Sequence, residues 1–117
     1  MANIGFILNQ SPFMGKNVET LYHLSMAALD KKHNVYIFLN QDAVLTPVKN
    51  QKHLDNRKSP REYIYDLIVK GANIVCNNLD IRIRGLDGGK AFLDGVKTGG
   101  LPDIAETVAL MDKIICL

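Results

Sequence analysis

Two residues in this chain have side chains able to act as strong nucleophiles, the thiols of Cys76 and Cys116. The thiolate does the chemistry, and cationic neighbours or backbone N–H groups favour it. Cys76 ends the apolar run Asn73-Ile74-Val75-Cys76 and stands at the mouth of the stretch that follows. Arg82 and Arg84 come soon after it, and Gly85, Gly88 and Gly89 would let backbone N–H groups approach a charged sulfur. Cys116 sits between Ile115 and Leu117, inside a second apolar run. Cys76 is therefore the better candidate nucleophile. The competing assignment is packing, since cysteine is among the most buried residue types and often acts as a small hydrophobe. The sequence offers no general base beside the thiol.

A second candidate region is Asn9-Gln10-Ser11-Pro12-Phe13-Met14-Gly15-Lys16, which links a strand pattern to a helix pattern. Phosphates bind at such junctions. However, Gln10 occupies the position where a Walker A loop has glycine, and no dinucleotide fingerprint is present. Gln10, Ser11 and Gly15 are expected to line a cleft. His23, His33 and His53 have no ligand-like spacing with either cysteine, so no metal site is expected. No Ser-His-Asp arrangement can be argued from spacing. The segment from 40 to 58 carries Lys49, Lys52, His53, Arg57 and Lys58. It is long for a loop in a compact domain. It is a mobile functional loop or a segment ordered by a neighbouring subunit, and its cations form a solvated face or a docking surface for an anion or acidic protein.

Short apolar runs alternate with helical patterns and supply the frame. Ile4–Leu8, Val35–Leu39, Asn73–Cys76 and Lys113–Leu117 lack polar alternation, as strands buried on both faces should. Gly95–Thr98 adds a short fifth strand. After Asn17, a plausible N-cap, Val18, Leu21, Tyr22, Met26 and Leu29 recur at helical spacing. Ser59-Pro60-Arg61-Glu62 has the form of a capping box with proline first, and its helix should stop at Gly71. A third helix begins near Pro102 with Ile104, Ala105, Val108 and Met111 inward, and a short helical piece is expected around Gly89–Leu93. This alternation predicts a single domain over residues 1–117. Its fold class is α/β, a three-layer α/β/α sandwich on a mostly parallel five-stranded sheet of flavodoxin-like shape.

Composition narrows the function classes. Of the 117 residues 47% are apolar and the formal net charge is +2, too weak to argue for nucleic acid. No apolar run approaches the roughly 18 residues of a membrane span. Two distant cysteines do not make a disulfide framework. A reducing, cytoplasmic setting without a signal peptide is expected.

Several segments together resemble the DsrE/TusD family of sulfur-relay proteins. Asn9–Gly15 and its helix look like the family's opening, and Lys32-His33-Asn34-Val35-Tyr36-Ile37-Phe38 resembles its second strand. Cys76 followed by Arg84-Gly85-Leu86 resembles the active-site signature. Asp94–Glu106 and Met111–Leu117 are similar to the closing strand, helix and strand. The interval from Cys76 to Arg84 looks a residue longer than in TusD-like sequences, so the loop should bulge or realign. The resemblance implies a sulfurtransferase of the persulfide-carrier type. In it Cys76 takes sulfur from a donor protein and passes it to an acceptor protein, and Arg82, Arg84 and Gly85 stabilise the anion. It also implies homo-oligomers and chemistry needing neither metal nor organic cofactor. The alternative is a non-catalytic oligomeric subunit, or a small-ligand-binding module of the same fold.

Overall fold

Six residues from Asn3 to Leu8 form β1, and the next three strands join it on one side. These are β2 (Asn34–Leu39), β3 (Asn73–Asn77) and β4 (Val96–Gly99); β5 (Lys113–Cys116) joins β1 on the other side. The sheet is parallel throughout, in the order β4-β3-β2-β1-β5. That order is not the 2-1-3-4-5 of flavodoxin, although the layering is the expected three-layer sandwich. The computed structural model describes residues 1–52, 58–86 and 90–117. His53 and Arg57 of the basic segment, and Gly88 and Gly89, lie outside the described residues.

Register decides what each face buries, because side chains alternate along a strand. Phe6 pairs with Ile37, Leu8 with Leu39, Ile37 with Ile74 and Leu39 with Cys76, so these residues share one face. They form one apolar cluster with Val18 and Leu21 of α1 (Asn17–Asp30) and with Ile64 and Leu67 of α2 (Pro60–Lys70). The opposite face carries Gly5, Phe38, Val75 and Gly99, and a single helix covers it, α4 (Leu101–Ala109) with the Met111 that follows. A Cβ on Gly5 would meet Met111 Cγ at 3.0 Å and Phe38 Cε2 at 3.3 Å, so glycine is what lets that helix end settle on the sheet.

Helix ends follow their local signals, with one shift. Gly71 stops α2 in the left-handed region at φ 109°, where a side chain would be strained. The N-cap of α1 is Lys16 rather than Asn17, and no side chain caps it; the Asn17 amide instead donates to Gln10 Oε1 at 2.8 Å. On α4, Ile104 is buried but Ala105 is exposed.

Three expectations change. The segment after β2 is partly structured: Gln41–Leu45 is a 3-10 turn whose Ala43 and Val44 are fully buried, so these apolar residues dominate over the polar character of their surroundings. Residues 90–93 form a turn in which Phe92 bridges Val48, and no helix forms among them; burying the ring against that segment takes the place of the expected helical piece. β5 is exposed at all four positions although its sequence reads as buried, because it is an edge strand and α4 packs mainly over the other end of the sheet.

Candidate functional site

β3 delivers Cys76 to the carboxyl rim of the sheet, between Leu39 on β2 and Thr98 on β4. Its side chain points to the face shared with α1 and α2 and joins the core cluster, with no surface exposed. Burial pushes the thiol up to about 12 from an ordinary value of 9.0, with no cation acting against it. As folded, Cys76 is a neutral thiol inside the core.

What covers this corner is α3 (Asn78–Ile83), which occupies the interval where a bulge was expected. Asn77 caps it, the side-chain oxygen accepting from Leu79 N–H at 2.9 Å. Ile81 of α3 and Ala43 and Val44 of the 3-10 turn belong to the same buried cluster as Cys76.

Arg84 ties these two pieces together. Its Nε and Nη2 donate to Asp42 Oδ1 at 2.9 and 2.8 Å, and Nη1 donates to the Asp80 carbonyl at 3.1 Å. Asp80 Oδ2 in turn accepts from Gln41 N–H at 2.7 Å, and Gln41 adopts φ 52°. The guanidinium is thus held by the Asp42 carboxylate and the Asp80 carbonyl, with Asp80 Oδ1 a further 3.5 Å ion-pair contact of Nη1. Arg82 is exposed on α3, and Gly85 makes a left-handed turn at φ 68° with its N–H given to the Arg82 carbonyl at 3.1 Å.

The first loop stands apart from Cys76, above β1, with β2 between them. Two strand spacings make this about 9–10 Å at sheet level. Ser11 shapes the turn: its Oγ accepts from Phe13 N–H at 3.2 Å and its carbonyl from Met14 N–H at 3.2 Å. Gly15 borders a cavity beside this loop, and the Gln10 side chain accepts from the Asn17 amide within it.

The cleft is a cavity of about 350 Å³ between the start of α1 and the start of α2. Lys58 stands at its wall, 2.7 Å from Asp66 and 5.2 and 5.3 Å from the ring centres of Tyr22 and Tyr63. The hydrogen bond to Asp66 holds the Lys58 ammonium above its usual range.

Asp42 and Asp80 were not among the candidates. Their signal is visible only once Arg84 is asked for partners, four and 42 residues away. Ser59 was expected only as a helix cap. The capping box with Glu62 is in place, the Ser59 N–H donating to Glu62 Oε2 at 3.3 Å, while the covered Ser59 hydroxyl has no hydrogen-bond partner among the described residues.

The model of the DsrE/DsrF-like family matches residues 2–117. Among solved structures, the ychN protein from E. coli superposes with a TM-score of 0.90 over 100% of both chains, at 20% sequence identity. At that identity the likeness is one of fold. No curated protein matches the chain.

Proposed function

Because the chain belongs to the DsrE/DsrF-like family, we propose that it serves in sulfur relay, as a homo-oligomer that carries persulfide sulfur on Cys76 between a donor and an acceptor protein. The observation that carries this reading is the position of Cys76. It stands at the carboxyl rim of a parallel sheet, where such folds bind their ligands, and, unlike the exposed Cys116 at the end of β5, it lies under a cover held by ion pairs. The thiol must lose its proton and its cover before it reacts, so the carrier works from an opened form in which α3 and the 3-10 turn have parted. There the Cys76 thiolate attacks the outer sulfur of a donor persulfide. The donor S–S bond breaks, the donor departs as a thiolate and takes up a proton, and Cys76 becomes the persulfide. An acceptor thiolate repeats the displacement. No net oxidation occurs.

Incubation of the native protein with a cysteine-desulfurase persulfide should add one sulfur to Cys76, seen by mass spectrometry of its peptide and lost in Cys76→Ala. If Cys76 gains no sulfur while the fold is intact, the carrier role is wrong.

The complete burial of Cys76 favours a second reading, a non-catalytic oligomeric subunit in which this sulfur fills the core. Under it, Cys76→Ala would leave any relay complex working, with only stability reduced.

A further inference from the structure

The cavity between the starts of α1 and α2 has a composition that the chemistry of Cys76 does not use. α1 and α2 both begin at it, so the positive ends of two helix dipoles converge on one space. The start of α1 has no side-chain cap. Ser59 lines the same space while 4% exposed, and its buried hydroxyl has no hydrogen-bond partner among the described residues. A buried hydroxyl without a partner is costly, and a ligand oxygen at the cavity would relieve it. Lys52 and Lys58 add two cations at the wall.

The remaining walls are of other kinds. Phe13, 63% exposed, and Tyr63 offer flat apolar surfaces, and Glu19 offers an acceptor. The volume lies at the low end of the range for small-molecule sites.

We infer that this cavity binds a small phosphate monoester carrying a planar ring and hydroxyl groups, of the nucleoside monophosphate class. The phosphate lies at the two helix starts between Lys52 and Lys58, where charge-assisted hydrogen bonds form, and a rotation of the Ser59 side chain would bring its covered hydroxyl to it. The ring lies against Phe13 and Tyr63, and the hydroxyls donate to Glu19. Neither Cys76 nor any residue of the Arg84 latch lines the site, and it does not depend on sulfur relay.

The test is titration of the intact protein with adenosine 5′-monophosphate, adenosine and inorganic phosphate, followed by calorimetry and by amide NMR shifts at Phe13, Gly15 and Val18. The monophosphate should bind at least tenfold more tightly than either fragment. Ser59→Ala and Lys52→Ala should each weaken it by about tenfold, the size of one lost bond to a charged group. Lys52 is exposed, so its variant folds even if Ser59→Ala does not. Three results overturn the assignment. One is no binding of any probe at millimolar concentration. Another is a monophosphate no tighter than phosphate alone. The third is an unchanged affinity in Lys52→Ala together with shifts elsewhere in the fold.

Discussion

A thiol that is to accept sulfur must ionise and be reached, and the folded environment of Cys76 opposes both. Its Sγ is fully covered and its ionisation is pushed up to about 12 by burial. The consequence for stability has a definite sign. In the unfolded chain the thiol ionises near 9.0, while the folded protein keeps the proton until about 12. Between those values the unfolded state binds fewer protons, so this residue makes stability fall as pH rises. The slope is at most about 1.4 kcal/mol per pH unit. Urea unfolding of the wild type should therefore lose more stability from pH 9 to pH 11 than that of Cys76→Ala. Equal losses would mean that the thiol is not buried in solution. In the same native protein a maleimide should label exposed Cys116 far faster than Cys76, which reacts only as its corner opens and becomes fully reactive in denaturant. That both cysteines lie in strands was legible from the apolar runs. Whether Cys76 was a nucleophile or a core residue was not, because an apolar run leading to the rim of a sheet is written alike in both cases.

The elements around that sulfur show where sequence pattern was sufficient. Long periodic segments such as α1, and signals such as Ser59-Pro60 with Gly71, located their helices to within a residue or two. α3 has only six residues, and the 3-10 turn five, too short for a periodicity to emerge; tertiary contact decides both. Both short pieces are joined through Arg84, Asp42 and Asp80. Asp42 is 59% exposed, so its pair with Arg84 is screened and contributes about 0.2–1 kcal/mol, while Asp80 is the more covered partner. Such a latch sets how often the corner opens. Arg84→Ala should lower the free energy of local opening by about 1.4 kcal/mol and so raise the alkylation rate of Cys76 about tenfold. Labelling of Cys116 in the same sample serves as the internal control. Asp42→Asn should give a smaller increase in the same direction. An unaltered Cys76 rate in both variants, measured where the protein remains folded, would show that the corner opens by another route.

Across the whole molecule the coverage of the sheet is unequal. α1 and α2 seal one face, whereas α4 alone serves the other and packs on β3 and β4. Ile7 of β1 and Ile114 and Cys116 of β5 share the thinly covered face by register, and Leu110 at the end of α4 is 68% exposed beside it. β5 also has a free edge, with backbone groups open to pairing. Its Lys113-Ile114-Ile115-Cys116 is written as a buried strand, yet every position is exposed in the isolated chain. A second copy docking on this side would complete the burial, and a stable contact needs about 800 Å² from each partner. Sedimentation velocity should therefore find the wild type associated at micromolar concentration. Leu110→Glu combined with Ile114→Glu should convert it to monomer, since each variant places a charge where desolvation is required. Both positions are exposed in the single chain, so the folded monomer should keep its stability. A wild type that stays monomeric across the same concentrations would leave the face to a different protein, and association undiminished in the double variant would place the interface elsewhere.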